Sequence, residues 1–165
     1  MPVSSAWPEP VERVAAFLRA AGAEARLEEF PEGTKTARQA ARAVGCDEGD
    51  IVKSLVFLCD GRPVIVLVPG DKRADGAKVA AAVEARKAKI AGPEEVERAT
   101  GFGPGAVSPF GLPQVLDVLV ERTLLGRGTV WVGAGSVRHI VGIAPAELVR
   151  LARARPVAAV DDSAY

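Results

Sequence analysis

The sequence predicts an α+β protein built as one compact domain, residues 1–165, with helices flanking a mixed β-sheet. Segments with helical periodicity and β-rich runs follow one another irregularly, without the strict alternation of a doubly wound fold. Two apolar runs, IVKSLVFLC and PVIVLV, bracket Asp60-Gly61, a strong β-hairpin signal. No long linker, charge block, low-complexity tract or repeat divides the 165 residues, a length that one core can serve.

Each element has its own local reason. EPVERVAAFLRAAG places Val11, Val14, Leu18 and Ala21 on one helical face and stops at Gly22. EARLEEF is a modest strand running up to Pro31. In GTKTARQAARAVG, Thr36 is the N-cap of an alanine-rich helix and Gly45 its end. The hairpin runs follow, although the CDGRP link leaves the turn type open. PGDKRADG is a polar loop, AKVAAAVEA a helix and KAKIA a short strand. GPEEVERATG begins a helix with Pro93 and two glutamates in its first turn, where they suit the positive helix end, and stops at Gly101. Beyond the Gly/Pro-rich stretch TGFGPGAVSPFG, the runs QVLDVLV, TVWVGA and HIVGI read as three strands. APAELVRLARA is a closing helix with Pro145 near its first position, and PVAAV a last strand.

Bulk composition removes several function classes. Lys plus Arg equals Asp plus Glu, 21 each, so no global field favours nonspecific nucleic-acid binding and any such role needs a local basic patch. Cys46 and Cys59 lack CxxC spacing and His139 is the sole histidine, which supplies too few ligands for a zinc centre. No metal or cofactor is therefore expected. Both cysteines read as packing residues. The N-terminal MPVSSAWPEP has neither a basic n-region nor an apolar h-region, and no apolar run reaches the ~18–20 residues that span a bilayer. The expected location is the cytoplasm, away from membranes.

Three places could carry chemistry. Lys53 interrupts IVKSLVFL and, in a strand, shares a face with Leu55 and Phe57. Its amine either snorkels at a sheet edge or meets a phosphate or carboxylate. In the stretch Gly105-Ala106-Val107-Ser108-Pro109, a residue tolerant of positive φ is joined to one with fixed φ. Such a loop either connects a helix rigidly to a strand or presents backbone N–H groups to an anion or polarised carbonyl. The third place is GAGSVRH, Gly133–His139, a small-residue turn between strands that lacks the strand-to-helix context of a nucleotide-binding loop. A lone histidine at a strand start is read as structural or exposed, with a base role as the alternative. Asp71, Lys72, Arg73 and Asp75 form a charged loop, solvated or facing phosphate. Trp7 and Trp131 have faces on which a base can stack, but Trp131 lies within TVWVG and reads as a packing residue.

Taken in order, TARQAARAVGCDEGDIVKSLVF, VIVLVPGDKR, EEVERATGFGPGAVSPFG and VWVGAGSVRHIVGIAPAELVRL resemble the YbaK-like family of aminoacyl-tRNA editing domains, a module inserted in or associated with prolyl-tRNA synthetases. The resemblance covers roughly Thr34 to Leu151 and rests on the VK of the strand and the GxxxP loop together. It implies a largely antiparallel, curved sheet and hydrolysis of the ester joining a wrong amino acid to tRNA. Cys- or Ala-tRNA for proline is the leading substrate. A noncatalytic tRNA- or synthetase-binding module of the same fold is the alternative.

Under this resemblance Lys53 engages the charged acceptor end of the tRNA, and Gly105 and Pro109 are the ends of the GxxxP motif whose backbone, through Ala106, Val107 and Ser108, lines the aminoacyl pocket. Ser54 sits where relatives carry a small polar or amide side chain. Gly133 and Gly135 fall in the small-residue turn near the pocket. His139 closes that turn and is counted with the substrate-binding candidates, its role open. Lys72, Arg73 and Arg138 form the candidate tRNA patch. The implied partners are mischarged tRNA and prolyl-tRNA synthetase.

Overall fold

The computed structural model describes residues 7–30, 36–114 and 116–161. The predicted strand end at Pro31, the Thr34 start of the resemblance, Val115 and the last four residues of DDSAY lie outside them. The fold is α+β, as the sequence predicts, with five α-helices and eight strands among the described residues. Their order is α1 (Glu9–Ala20), β1 (Ala25–Glu29), α2 (Ala37–Val44), β2 (Val52–Cys59), β3 (Arg62–Pro69), α3 (Gly76–Ala82), β4 (Ala88–Ile90), α4 (Pro93–Thr100), β5 (Asp117–Glu121), β6 (Val130–Ser136), β7 (His139–Ile143), α5 (Pro145–Ala152) and β8 (Arg155–Val157).

The strands divide into two sheets, β1-β7-β6 and β4-β2-β3-β5-β8. The first is antiparallel throughout; the second is mixed, because β3 pairs with β5 and β5 with β8 in parallel. An isolated parallel bridge from Ile51 to Trp131 ties one sheet to the other. Local sequence accounts for many of the boundaries. The Thr36 side chain accepts the Gln39 N–H at 3.1 Å, and Gly45 ends α2 with φ 79°. Asp60 and Gly61 both take positive φ, 49° and 82°, between the paired residues Cys59 and Arg62. The open turn question thus resolves to a two-residue type I′ turn. The Asp60 carboxylate then accepts the N–H groups of Arg86 and Lys87 at 2.9 and 3.1 Å, which fixes the approach to β4.

The last strand is Arg155–Val157 rather than PVAAV, and 3-10 turns at Glu48–Asp50 and Arg122–Gly126 were not anticipated. GAGSVRH also differs from the predicted turn. Gly133, Ala134, Gly135 and Ser136 belong to β6, the ladder shifts register between Gly133 and Ser136, and Gly135 takes φ 103°. A glycine with such a φ is what lets a strand carry an irregularity without steric strain.

β3 shows why its sequence is an unbroken apolar run. Ile65 and Leu67 enter the core between the sheets, whereas Val64, Val66 and Val68 pack on the opposite face with Val79 of α3. The larger core gathers Val14 and Leu18 of α1, Val52 and Val56 of β2, Val132 and Val141 of the smaller sheet, and Phe102 and Phe110 of the Gly/Pro-rich loop. Helix α2 covers the outer face of the smaller sheet through Ala40, Ala41 and Trp131. The loop is thus anchored in the main core by its two phenylalanines.

Candidate functional site

Where β2 leaves its partner β4, the two sheets, α2 and the Gly/Pro-rich loop enclose a pocket of about 350 Å³. β4 pairs with Phe57–Cys59, so among the described residues the first half of β2 has one unpaired edge. The tight turn makes Cys59 and Arg62 a hydrogen-bonded pair, so by alternation Lys53, Leu55 and Phe57 bond to β3 while Ser54 and Val56 direct their peptide groups outward. The Val56 carbonyl accepts the Ala91 N–H at 2.9 Å; Ser54 lies beyond that point and lines the pocket. Its hydroxyl is buried and without a hydrogen-bond partner among the described residues.

Lys53 also lines the pocket, half-buried, with its Nζ donating to the Lys72 carbonyl at 2.6 Å. Burial pushes its amine below the ordinary lysine value; Asp71 and Glu48 oppose that shift, and Arg73 adds to it. Lys72 and Arg73 therefore lie beside Lys53, while Arg138 follows the lining residue Val137 in the chain, its Nε donating to the Phe30 carbonyl at 3.3 Å. The loop holding Lys72 is tied to the C-terminal segment: Asp161 N–H donates to Arg73 and Asp75 N–H to Ala159, each at 2.8 Å. Buried Glu121 holds that segment in turn, accepting from the Ala159 and Thr123 N–H groups at 2.8 and 2.9 Å, and these bonds depress its pKa despite burial.

The GxxxP motif is resolved residue by residue. Gly103-Pro104-Gly105-Ala106 forms a type II turn: Ala106 N–H donates to the Gly103 carbonyl at 3.0 Å and Gly105 takes φ 81°. Ala106 N–H is thereby satisfied and is not available to a ligand. Ser108 is fully buried, with its Oγ accepting the Phe110 N–H at 3.2 Å, and Pro109 is buried beside it. Gly105 and Val107 line the pocket, and their N–H groups have no acceptor among the described residues. Of five motif residues, these two face the pocket and the other three shape the loop.

Gly133 lines the pocket and carries the loop: a β-carbon on Gly133 would clash with the Val107 carbonyl oxygen. Gly135 is not among the lining residues; it faces α1, where a β-carbon would lie 2.9 Å from the Pro10 carbonyl. His139 lines the pocket yet is 2 % exposed. Ser136 Oγ accepts the Arg138 N–H at 2.9 Å and lies 2.6 Å from His139 Nδ1. The contact fixes the orientation of the ring, and which of the two atoms donates follows from the ring's tautomer. Nε2 faces Glu29 at 3.7 Å and has no hydrogen-bond partner among the described residues, and the Trp7 ring stands edge-on at 5.9 Å. Burial holds His139 below the ordinary histidine value, with Arg138 adding and Glu29 opposing.

The remaining walls were not legible as site residues. Ala37 and Ala40 of α2, Ile51, Leu55, Trp131 and Ile140 make them small or apolar. The alanines of α2 were the available signal, since small side chains on one helix face let a ligand approach the backbone. Cys46 and Cys59 are free thiols lying outside the pocket, and burial pushes both thiol pKa values up. The arrangement can hold a small side chain among apolar walls, oppose a negative charge with Lys53, and offer the Gly105 and Val107 N–H groups to an oxyanion.

Residues 31–151 match the aminoacyl-tRNA editing domain. Proline–tRNA ligase of Bacillus licheniformis is 31% identical over 123 residues, 72% of this chain but 22% of the ligase. The uncharacterized protein YwhH of Bacillus subtilis is 35% identical over 121 residues, 73% of this chain and 76% of YwhH. A crystal structure described as a candidate trans-editing enzyme for prolyl tRNA synthetase superposes with a TM-score of 0.88 at 34% identity, covering 94% of this chain and 99% of that one.

Proposed function

Because the chain belongs to the aminoacyl-tRNA editing domain family, we propose that it is a trans-acting deacylase that hydrolyses the ester of mischarged tRNA. Cys- or Ala-tRNA for proline are the leading substrates, in keeping with the small walls and with the relationship to proline–tRNA ligases. The observation that carries the proposal is the convergence of Lys53, Gly105, Val107 and Gly133 on one pocket.

In this reading Lys53 neutralises phosphate at the acceptor end while the aminoacyl group enters between α2 and the smaller sheet. An aminoacyl ester is already activated, so positioning water and stabilising the oxyanion supply most of the rate. Water adds to the ester carbonyl, and the developing oxyanion takes hydrogen bonds from the Gly105 and Val107 N–H groups. The C–O ester bond then breaks, and the water's proton passes by way of a neighbouring ribose hydroxyl to the leaving ribose oxygen. Free amino acid and uncharged tRNA result. Loss of one such donor corresponds to about 3–4 kcal/mol in other oxyanion sites.

The test incubates the protein with labelled Ala-, Cys-, Ser- and Thr-tRNA separately. The proposal expects ester loss for at least one, with a folded Lys53→Ala variant slower by an order of magnitude or more. Tight binding without ester loss from any of the four would establish the noncatalytic module instead.

A further inference from the structure

Helix α1 lies outside the matched residues 31–151, yet one of its side chains touches both ends of the loop that walls the pocket. Arg13 Nη2 donates to the Gly101 carbonyl at 3.2 Å, and its guanidinium carbon lies 4.8 Å from the centre of the Phe102 ring. At the far end, Gly111 takes φ 69°, and a β-carbon there would lie 3.4 Å from the Arg13 carbonyl oxygen and 3.5 Å from its side-chain stem. One helical turn on, Phe17 stacks on Phe110 with 5.9 Å between ring centres and 20° between planes. The entry and the exit of the loop 101–111 are therefore clasped by the same residue.

We propose that Arg13 is a positioning residue for this pocket, closing the loop 101–111 so that the Gly105 and Val107 N–H groups hold their places. The role suits arginine in particular. The planar guanidinium lies over Phe102, which is 1% exposed, while one Nη reaches Gly101 and the other pairs with Glu9 at 3.4 Å. A lysine keeps the stem against Gly111 and a cation near the ring, but cannot donate in two directions from a fixed plane. Arg13 is not among the residues that line the pocket, so its influence runs through loop geometry.

The consequence for catalysis rests on the deacylase reading; the consequence for the loop does not. In Arg13→Ala, hydrogen exchange should quicken across residues 101–111 and stay unchanged in β2 and β3. With the substrate that the wild type hydrolyses, kcat should fall about ten- to a hundredfold, the scale of a misplaced catalytic group, while tRNA affinity holds. Arg13→Lys should recover part of both, and it also serves if the alanine variant does not fold. Unchanged exchange in the loop, or faster exchange throughout the chain, would overturn the role. If the wild type hydrolyses none of the four aminoacyl-tRNAs, the deacylase reading fails while the exchange result still decides on Arg13.

Discussion

The carbonyl oxygen of Val107 approaches Gly133 so closely that a β-carbon at that position would clash with it. Backbone thus meets backbone where the loop crosses β6, and the position of the Val107 N–H is set by the absence of a side chain on its neighbour. Gly133→Ala should force the loop outward, lowering stability by about 1–3 kcal/mol as overpacking does. Deacylation should fall at least tenfold, since the donor is displaced. Gly128, with open space around its Cα, is the control, and Gly128→Ala should change stability by no more than about 0.5 kcal/mol. Urea melts and single-turnover rates on both variants check the contrast.

Lys53 predicts a pH dependence of binding. Burial favours its neutral form, and an anionic phosphate favours the charged one, so binding takes up a proton. Affinity for tRNA should therefore weaken as pH rises through the depressed lysine pKa, and Lys53→Arg should flatten that decline because arginine stays charged. Titrations of uncharged tRNA across neutral to alkaline pH measure it. An identical pH profile in both proteins would remove Lys53 as the phosphate partner.

His139 predicts a loss of stability in acid. Its folded-state pKa is depressed, so the unfolded chain binds the proton more readily. The contribution is complete above the ordinary histidine value of about 6.5 and is lost as pH falls through the lower folded value. Thermal melts should show Tm dropping over that window, and His139→Asn should shed this part of the acid limb.

The basic flank predicts salt sensitivity. Charge reversal at Lys72, Arg73 or Arg138 should weaken tRNA binding roughly equally for every tRNA tested. For each phosphate contact removed, the slope of log affinity against log salt should shrink by about one. Filter binding at several salt concentrations gives the slopes, and unchanged values would place the acceptor stem elsewhere.

Legibility followed the range of the interaction. The Thr36 cap, the Gly45 and Gly101 helix ends and the Asp60-Gly61 turn are set by residues within a few positions of one another, and all were readable. The pairing of β1 with β7, the pressure of Pro10 on Gly135 and the Glu121 clamp on Ala159 join distant parts of the chain, and no local pattern encodes them. The same limit explains the division into two sheets, since strand propensity does not name a partner. In the site, Lys53 and the GxxxP loop were visible as interruptions of pattern. The turn that satisfies Ala106 and the Ser136–His139 contact depended on geometry that composition does not carry.

Strand β1 has consequences for how the protein comes into being. Among the described residues, 25–29 find their ladder partner at 139–143, so during synthesis this strand waits while more than a hundred further residues are added. An apolar edge left bare for that interval would invite neighbouring nascent chains. ARLEE instead carries three charges around a single leucine, Arg26, Glu28 and Glu29, a composition that discourages premature pairing. The strand beside His139 is thus composed to wait, and the pocket it supports is completed only once β7 has been made.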